Sequence, residues 1–285
     1  MDFEKIFSEA EKTGINLFNM AIYQNGQIWD HRFQPCSNCQ NSYSVSKAFI
    51  MTGIGMLYDE GQIDVTKPII SYMGGLVPDG IDPLWQKVTA EHAMSHKIGF
   101  SEGFLDIDVE NVLEYPTRDY LSIVFQHPLH YQPGEYYQYS DAAYYLLSRL
   151  ISCISGEKAD VYLNRKLFQP LDFHEAAWSH CPQDYPMGAT GLYISAHDAV
   201  KLAALYLEGG IWQGKRLLSQ EWTDRAMANN YDLSTRTASG FYGKGGMYGQ
   251  IVMFNRSKNL AVAWHSHSSG EENKKLISLV DSLTD

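Results

Sequence analysis

The stretch "SYSVSKAFIMTGIGMLYDEG", residues 42–61, decides the fold. It begins polar, turns apolar at Ala48 and ends at Gly61, a helix-stopping residue. From Ala48 to Tyr58 it is apolar nearly all round, so a helix beginning near Ser44 is expected to be buried on most sides. The charge-free run 48–58 is too short to span a bilayer. Ser44 stands three residues ahead of Lys47, and positions i and i+3 share a helix face. A serine hydroxyl becomes a nucleophile when a neighbour takes its proton, and a lysine can do so where burial or nearby positive charge lowers its pKa. Free N–H groups in a helix's first turn can also hold an oxyanion. The pattern fits acyl transfer; the competing reading is a surface lysine laid along the helix. "SGEK" at 155–158 repeats the spacing in a helix-ending loop and is read as coincidence.

Before this helix, residues 3–13 form a short amphipathic pattern ending at Gly14. "NLFNMAIYQNGQIWDHRF", 16–33, then gives two strands about Asn25-Gly26, a two-residue hairpin signal. After it, residues 62–191 carry helical patterns with little strand alternation. The clearest is "SDAAYYLLSRLISCISG", 140–156, with Ser140 or Asp141 as cap and Gly156 as stop. "SAHDAVKLAALYLEGG", 195–210, is another helix, capped by Ser195. At the C-terminal end "MYGQIVMF" and "LAVAWHSH", 247–254 and 260–267, read as a hairpin around a five-residue loop, apolar on both faces and so covered on both sides. A closing helix follows at 270–283. The expected architecture is an α/β (α+β) fold: an antiparallel sheet built from both termini and flanked by helices, residues 1–61 and 192–285, with an inserted mainly helical lobe, 62–191. A site is expected where the lobes meet.

The formal net charge is −11 and the basic residues are scattered, so nucleic acid and anionic membranes are not expected partners. "MDFEKIFSEAEKTG" lacks the basic-then-apolar order of a secretory signal, and cytoplasm is the expected location. Of four cysteines only Cys36 and Cys39, in "CSNC", have ligand-like spacing; no second pair completes a four-ligand site, and they are read as loop cysteines. His265 and His267 share a strand face but have no evident third ligand.

Two further elements could carry chemistry. Tyr139-Ser140-Asp141 immediately precedes an apolar helix; Asp141 or Ser140 could merely cap it, or Tyr139 could act as a general base if cations lowered its pKa. Lys244-Gly245-Gly246 is read as opening a late strand whose glycines let a substrate lie against the edge, or as a glycine-rich turn with an exposed lysine.

In order and surroundings these three elements resemble the serine β-lactamase and penicillin-binding family, in the branch with a tyrosine motif that holds class C β-lactamases, DD-peptidases and related esterases. The likeness runs over nearly the whole chain. "VTAEHAMSHKIGF", 88–100, resembles the family's threonine-then-"LLTHTSG" segment, "YQPGEYYQYSDAAYYLL" its "YSN" stretch, and "KGGMYGQIVMFNRSKNLAVAW" its lysine-motif strand and hairpin. The resemblance implies the β-lactamase/transpeptidase-like fold. It implies Ser44 as acylated nucleophile, Lys47 as its proton partner and Tyr139 as general base and later acid. Asp141 would hold Lys47 and contact substrate, Lys244 would place positive charge beside Tyr139, and Gly246 would lie along the substrate. The oxyanion hole would be the N–H groups of Ser44 and Met247. No metal or cofactor is implied.

Two positions depart from the family pattern. Asp141 replaces the usual Asn and, while ionised, cannot donate to a substrate amide. Gly245 replaces a Thr or Ser whose hydroxyl helps bind a substrate carboxylate. A register aligning Phe241-Tyr242-Gly243 instead would leave no lysine, and the Lys244 register is preferred. The expected function is a serine hydrolase cleaving a small ester, amide or short peptide through a Ser44 acyl-enzyme. The alternatives are a D-Ala-D-Ala carboxypeptidase or class C-like β-lactamase, and a binding or sensor protein without turnover. Segments 99–119 and 176–191 are expected to line the pocket; substrate identity and oligomeric state stay open.

Overall fold

The computed structural model describes residues 2–284. In chain order its helices are α1 (Phe3–Lys12), α2 (Ser46–Asp59), α3 (Ala90–Met94), α4 (Tyr120–Gln126), α5 (Asp141–Ser155), α6 (Ala159–Leu163), α7 (Ala196–Leu207), α8 (Gln220–Ala228) and α9 (Gly270–Leu283). The strands are β1 (Leu17–Gln24), β2 (Gln27–Arg32), β3 (Gln40–Asn41), β4 (Ala176–Trp178), β5 (Leu192–Ile194), β6 (Ile211–Trp212), β7 (Lys215–Arg216), β8 (Ser234–Thr235), β9 (Tyr242–Gly245), β10 (Ile251–Asn255) and β11 (Leu260–Ser266). Among the described residues no helix is long and apolar enough to cross a membrane.

The chain folds into two compact units. The first is Met1–Ala48, Phe168–Ala177 and Leu192–Asp285; the second is Phe49–Leu167 and Trp178–Gly191. The sequence pattern groups all of α2 with the sheet, whereas in the structure α2 belongs with the helices from Phe49 onward. The cause is close packing: a Cβ at Gly53 would lie 2.9 Å from Ile151 Cδ1 of α5 and 3.1 Å from Leu163 Cδ2 of α6.

The first unit holds a six-stranded antiparallel sheet in the order β2-β1-β11-β10-β9-β8. As expected, β1 from one terminus pairs with β11 from the other, Ile22 opposite Val262. Asn25 (φ +51°) and Gly26 (φ +79°) supply the two left-handed residues of a primed hairpin turn. Every residue of β10 and β11 is buried. On one face Met20, Ile22, Ile251, Met253, Val262 and Trp264 pack with Phe3, Ile6 and Phe7 of α1 and Leu276 and Val280 of α9. Alternation turns Ala21, Ala261 and Ala263 to the other face, where α7 packs on β1, β10 and β11 and Tyr206 stacks on Phe254 at 6.0 Å. Small side chains there let the helix lie close, while the larger ones opposite contribute about 1.5–3 kcal/mol each on full burial.

The glycine-rich segment differs from the expectation. Lys244 and Gly245 close β9 instead of opening the next strand, and Met247 and Tyr248 lie in the turn before β10 begins at Ile251. Gly249, at φ +86°, accounts for the break: its N–H closes the turn on the Gly246 carbonyl at 3.2 Å. The β10–β11 loop is also one residue shorter than expected, since Asn255 pairs with Leu260. The Asn255 side chain then accepts from the N–H groups of Ser257 and Lys258 and organises that loop.

The second unit is helical, as its pattern suggests. In α5, Ser140 is the N-cap residue and Gly156, at φ +74°, ends the helix. Tyr144, Leu147, Leu150 and Ile151 are buried.

Candidate active site

In the first unit the chain reaches Ser44 through a tight turn. Tyr43 is held at φ +47°, unfavourable for an aromatic residue, with its N–H bonded to Asn41 Oδ1 at 2.9 Å. Tyr43–Val45 forms a 3₁₀ turn, and the α-helix proper starts at Ser46, two residues later than expected. The turn is fixed on both sides. Ser42 donates its N–H to the Leu192 carbonyl at 2.8 Å, and Ser46 Oγ accepts from Leu192 N–H at 3.3 Å. Ser42 Oγ and His265 Nε2 are 3.3 Å apart, and His265 Nδ1 lies 3.1 Å from Asn19 Oδ1. Burial lowers the His265 pKa to about 4, so the ring is neutral: Nδ1–H donates to Asn19 Oδ1 and Nε2 accepts from the Ser42 hydroxyl.

Lys47, on the first turn of α2, is fully buried and donates from Nζ to Ser44 Oγ at 3.0 Å. The helical spacing therefore brings serine and lysine into the contact expected of them. The third element packs against the same turn: β9 lies on residues Tyr43–Val45, and Tyr43 meets Tyr248 edge-on at 5.1 Å. Gly246 is required there, because a Cβ would lie 2.8 Å from the Ser42 carbonyl oxygen and 2.6 Å from Gln250 Oε1. Met247 follows, its side chain 40% exposed.

Lys244 is buried and donates to the carboxylate of half-buried Asp232 in a short ion pair. Asp232 is thus a member of this constellation that sequence reading missed; it stands twelve residues upstream in an irregular segment, at φ +54°, with no local signal. Arg236 was missed as well. Its Nε donates to the Gly243 carbonyl at 2.9 Å, and a guanidinium nitrogen lies 3.9 Å from where a Gly245 Cβ would stand. At Gly245 a side chain would meet only ordinary contacts of 3.6 Å or more.

In the second unit Tyr139 and Asp141 flank the N-cap of α5. Tyr139 lies against the ring of buried His96, centroids 4.4 Å apart at 33°. His96 Nδ1 accepts the Ser140 N–H at 3.3 Å, so the same imidazole holds both the phenol and the backbone after it. His96 lies in the "AMSHKIGF" segment, where sequence reading gave it no role. Ser140 Oγ turns away from the helix to the Phe104 backbone, accepting its N–H and donating to its carbonyl, each at 3.3 Å. Gly103 permits this, as a Cβ there would lie 2.6 Å from the Tyr139 carbonyl oxygen. Asp141 is buried, and its carboxylate lies within 4.8 Å of those of Asp106 and Asp108.

The two strand histidines diverge. His265 is engaged as above, whereas His267 lies beyond the end of β11 and stacks on Tyr248 at 4.6 Å. Neither is in a cluster of three or more metal-binding side chains among the described residues.

Comparison with known proteins adds the following. A family model described as Beta-lactamase matches residues 11–283. An N-acetylmuramyl-L-alanine amidase of Bacillus subtilis (strain 168) is 28% identical over 123 residues, 40% of this chain and 27% of that protein. A 6-aminohexanoate-dimer hydrolase of Paenarthrobacter ureafaciens is 26% identical over 204 residues, 65% of this chain and 50% of that protein. The chain thus spans half or less of the length of these two curated relatives. The crystal structure of a penicillin-binding protein homologue from Caulobacter crescentus superposes with a TM-score of 0.78 at 14% identity, covering 99% of this chain and 98% of that one. That likeness shows the fold.

Proposed function

The chain belongs to the β-lactamase family, and on that premise we propose that it is a serine hydrolase that cleaves a small ester or amide through an acyl-enzyme on Ser44. The observation carrying this reading is the 3.0 Å hydrogen bond from fully buried Lys47 Nζ to Ser44 Oγ. Complete burial keeps bulk water from the amine and makes the serine hydroxyl a partner for proton exchange.

In the proposed reaction Ser44 Oγ attacks the substrate carbonyl carbon, and its proton passes by way of Lys47 and Tyr139. The oxyanion takes hydrogen bonds from the N–H groups of Ser44 and Met247. Tyr139 returns the proton to the leaving alcohol or amine as the C–O or C–N bond breaks. Water, deprotonated by the same groups, then releases the acid and restores Ser44. The family pattern gives Asp141 and Lys244 supporting roles in this reaction, and Gly246 lets the end of β9 lie against the Ser42 carbonyl. The Asp232 carboxylate offsets part of the Lys244 charge, so this member of the set offers less net positive charge than a lone lysine would.

The missing hydroxyl at Gly245 favours neutral substrates. Arg236 supports a second reading, because a guanidinium beside Gly245 is the kind of group that pairs with a carboxylate, as in a peptide C-terminus or a β-lactam. The deciding experiment is hydrolysis of a p-nitrophenyl butyrate ester by wild type and Ser44→Ala, with benzylpenicillin in a parallel reaction. Ester turnover lost in the variant supports the first reading; a penicilloyl adduct or ring opening supports the second. Full ester activity in Ser44→Ala would eliminate both, and binding without product or adduct would point to a protein that has lost turnover.

A further inference from the structure

The second unit holds a cavity of about 190 Å³ around a cation that the proposed reaction does not use. It is lined by Arg149, Ser152 and Cys153 of α5, by Glu157 and Lys158 from the turn into α6, and by Tyr185 from the segment between β4 and β5. Arg149 is 3% exposed, and a guanidinium keeps its charge on burial where an ammonium can lose it. Its hydrogen bonding is only half complete. Nη1 donates to the Tyr145 hydroxyl at 3.1 Å and to Gln183 Oε1 at 3.4 Å, both neutral acceptors. Nε is enclosed and has no hydrogen-bond partner. Among the described residues no carboxylate pairs with this guanidinium. Glu157, the acid of the lining, is taken instead by Arg165, whose Nη2 and Nε donate to its Oε2 at 3.0 and 3.3 Å. Tyr185 covers one face of the guanidinium, with Cζ 3.7 Å from the ring centroid. The same tyrosine lies within electrostatic range of Lys158, a second cation, whose ammonium pairs with Asp184. The Cys153 thiol in turn lies within electrostatic range of Arg149.

We propose that this cavity is a binding site for a small oxyanion, held by the Nε–Nη2 edge of Arg149 with Lys158 beside it. With Nη1 committed, that edge is the one left over, and its two parallel N–H groups are the fork that grips two oxygens of a carboxylate or phosphate. A buried cation without a counter-charge weakens a fold, and an anion taken from solution removes that cost. Stacking on Tyr185 holds the guanidinium plane for it. Because Nε is enclosed, binding requires a slight outward turn of the guanidinium. The cavity is smaller than the roughly 300–1,000 Å³ of pockets for drug-sized ligands, so inorganic phosphate or a short carboxylate suits it. All its lining residues belong to the second unit, whereas Ser44, Lys47 and Lys244 belong to the first, so the site is separate from the proposed nucleophile.

The test is calorimetric titration of the full chain with sodium phosphate and, separately, sodium acetate, with ionic strength held constant by sodium chloride. The expected result is saturable binding of one ion per chain for at least one of the two. Tighter phosphate identifies a phosphate ligand, and tighter acetate a carboxylate. Arg149→Lys keeps the charge and loses the fork, so affinity falls about tenfold or more. Lys158→Ala, at a partly exposed position that a thermal melt will show to be tolerated, weakens binding by a smaller factor. Arg236→Gln, in the first unit, leaves it unchanged. The bound anion also slows alkylation of Cys153 by iodoacetamide in wild type, a readout that needs no variant. The proposal is overturned by absence of saturable binding of either ion, by a response that chloride alone reproduces, or by affinity unchanged in both Arg149→Lys and Lys158→Ala.

Discussion

The starts of α2 and α5 both present reactive side chains, but they are held in different ways. At α2 the critical contact is local: Lys47 and Ser44 meet because three residues of helix bring them together. At α5 the phenol of Tyr139 is held by His96, forty-three positions earlier, through a ring contact and the Ser140 amide. Periodicity can announce the first kind of support, whereas only the folded chain reveals the second. The α2 start also has a remote prop, since Ser42 leans on His265 of β11.

If the local contact carries the chemistry, Lys47→Met has the largest effect. The variant keeps the buried volume but cannot move a proton, so kcat/KM for an ester should fall about 10²–10⁴-fold. A fall of less than about threefold, with an unchanged melt, would remove lysine from the reaction.

The prop under α2 is tested by pH. The folded-state pKa of His265 is depressed from 6.5 to about 4, so its neutral form is fully compatible with the fold above pH 6.5. As pH falls from 6.5 towards 4 the unfolded chain binds a proton that the folded chain refuses, and stability drops by about 3 kcal/mol. Urea unfolding at pH 7 and pH 4 should show this loss in wild type, and His265→Gln should show less of it. Equal losses in both would assign the acid sensitivity elsewhere.

The remote support at α5 is tested by His96→Ala and His96→Phe. Loss of the ring should lower kcat about ten- to a hundredfold through misplacement of Tyr139, with KM little changed. Phe restores the aromatic face but not the acceptor for the Ser140 N–H, so partial recovery is expected. No recovery with Phe would mean that the amide acceptor, not the stacked ring, places the phenol.

The smallest effect is expected at Gly245→Ser. The position has room for a side chain, and one new hydroxyl is worth about 1 kcal/mol, roughly fivefold in kcat/KM for a carboxylate-bearing ester over its neutral analogue. An unchanged ratio would leave Arg236 as the sole discriminator at that edge.

Much of the fold was legible because its signals are short-range. Asn25-Gly26 marks a turn, Gly156 a helix end and Ser195 a helix start, and the doubly apolar 251–254 and 260–264 imply a sheet covered on both faces. The glycine-rich strand was misplaced because the apolar pair Met247-Tyr248 looks like strand and is a turn. The close approach at Gly246 and the left-handed backbone of Gly249 distinguish the two. Ser44 with Lys47 was readable from spacing. Asp232, Arg236 and His96 were not, since each depends on segments that the fold alone brings together.

The central claim is that Ser44 Oγ becomes acylated. The most direct measurement is intact-mass and peptide-mapping analysis after brief exposure to a serine-directed fluorophosphonate. The account predicts a mass increase of one phosphonyl group, confined to the peptide containing Ser44 and absent in Ser44→Ala. A chain that turns over an ester yet carries no adduct on Ser44, or carries one elsewhere, would contradict it.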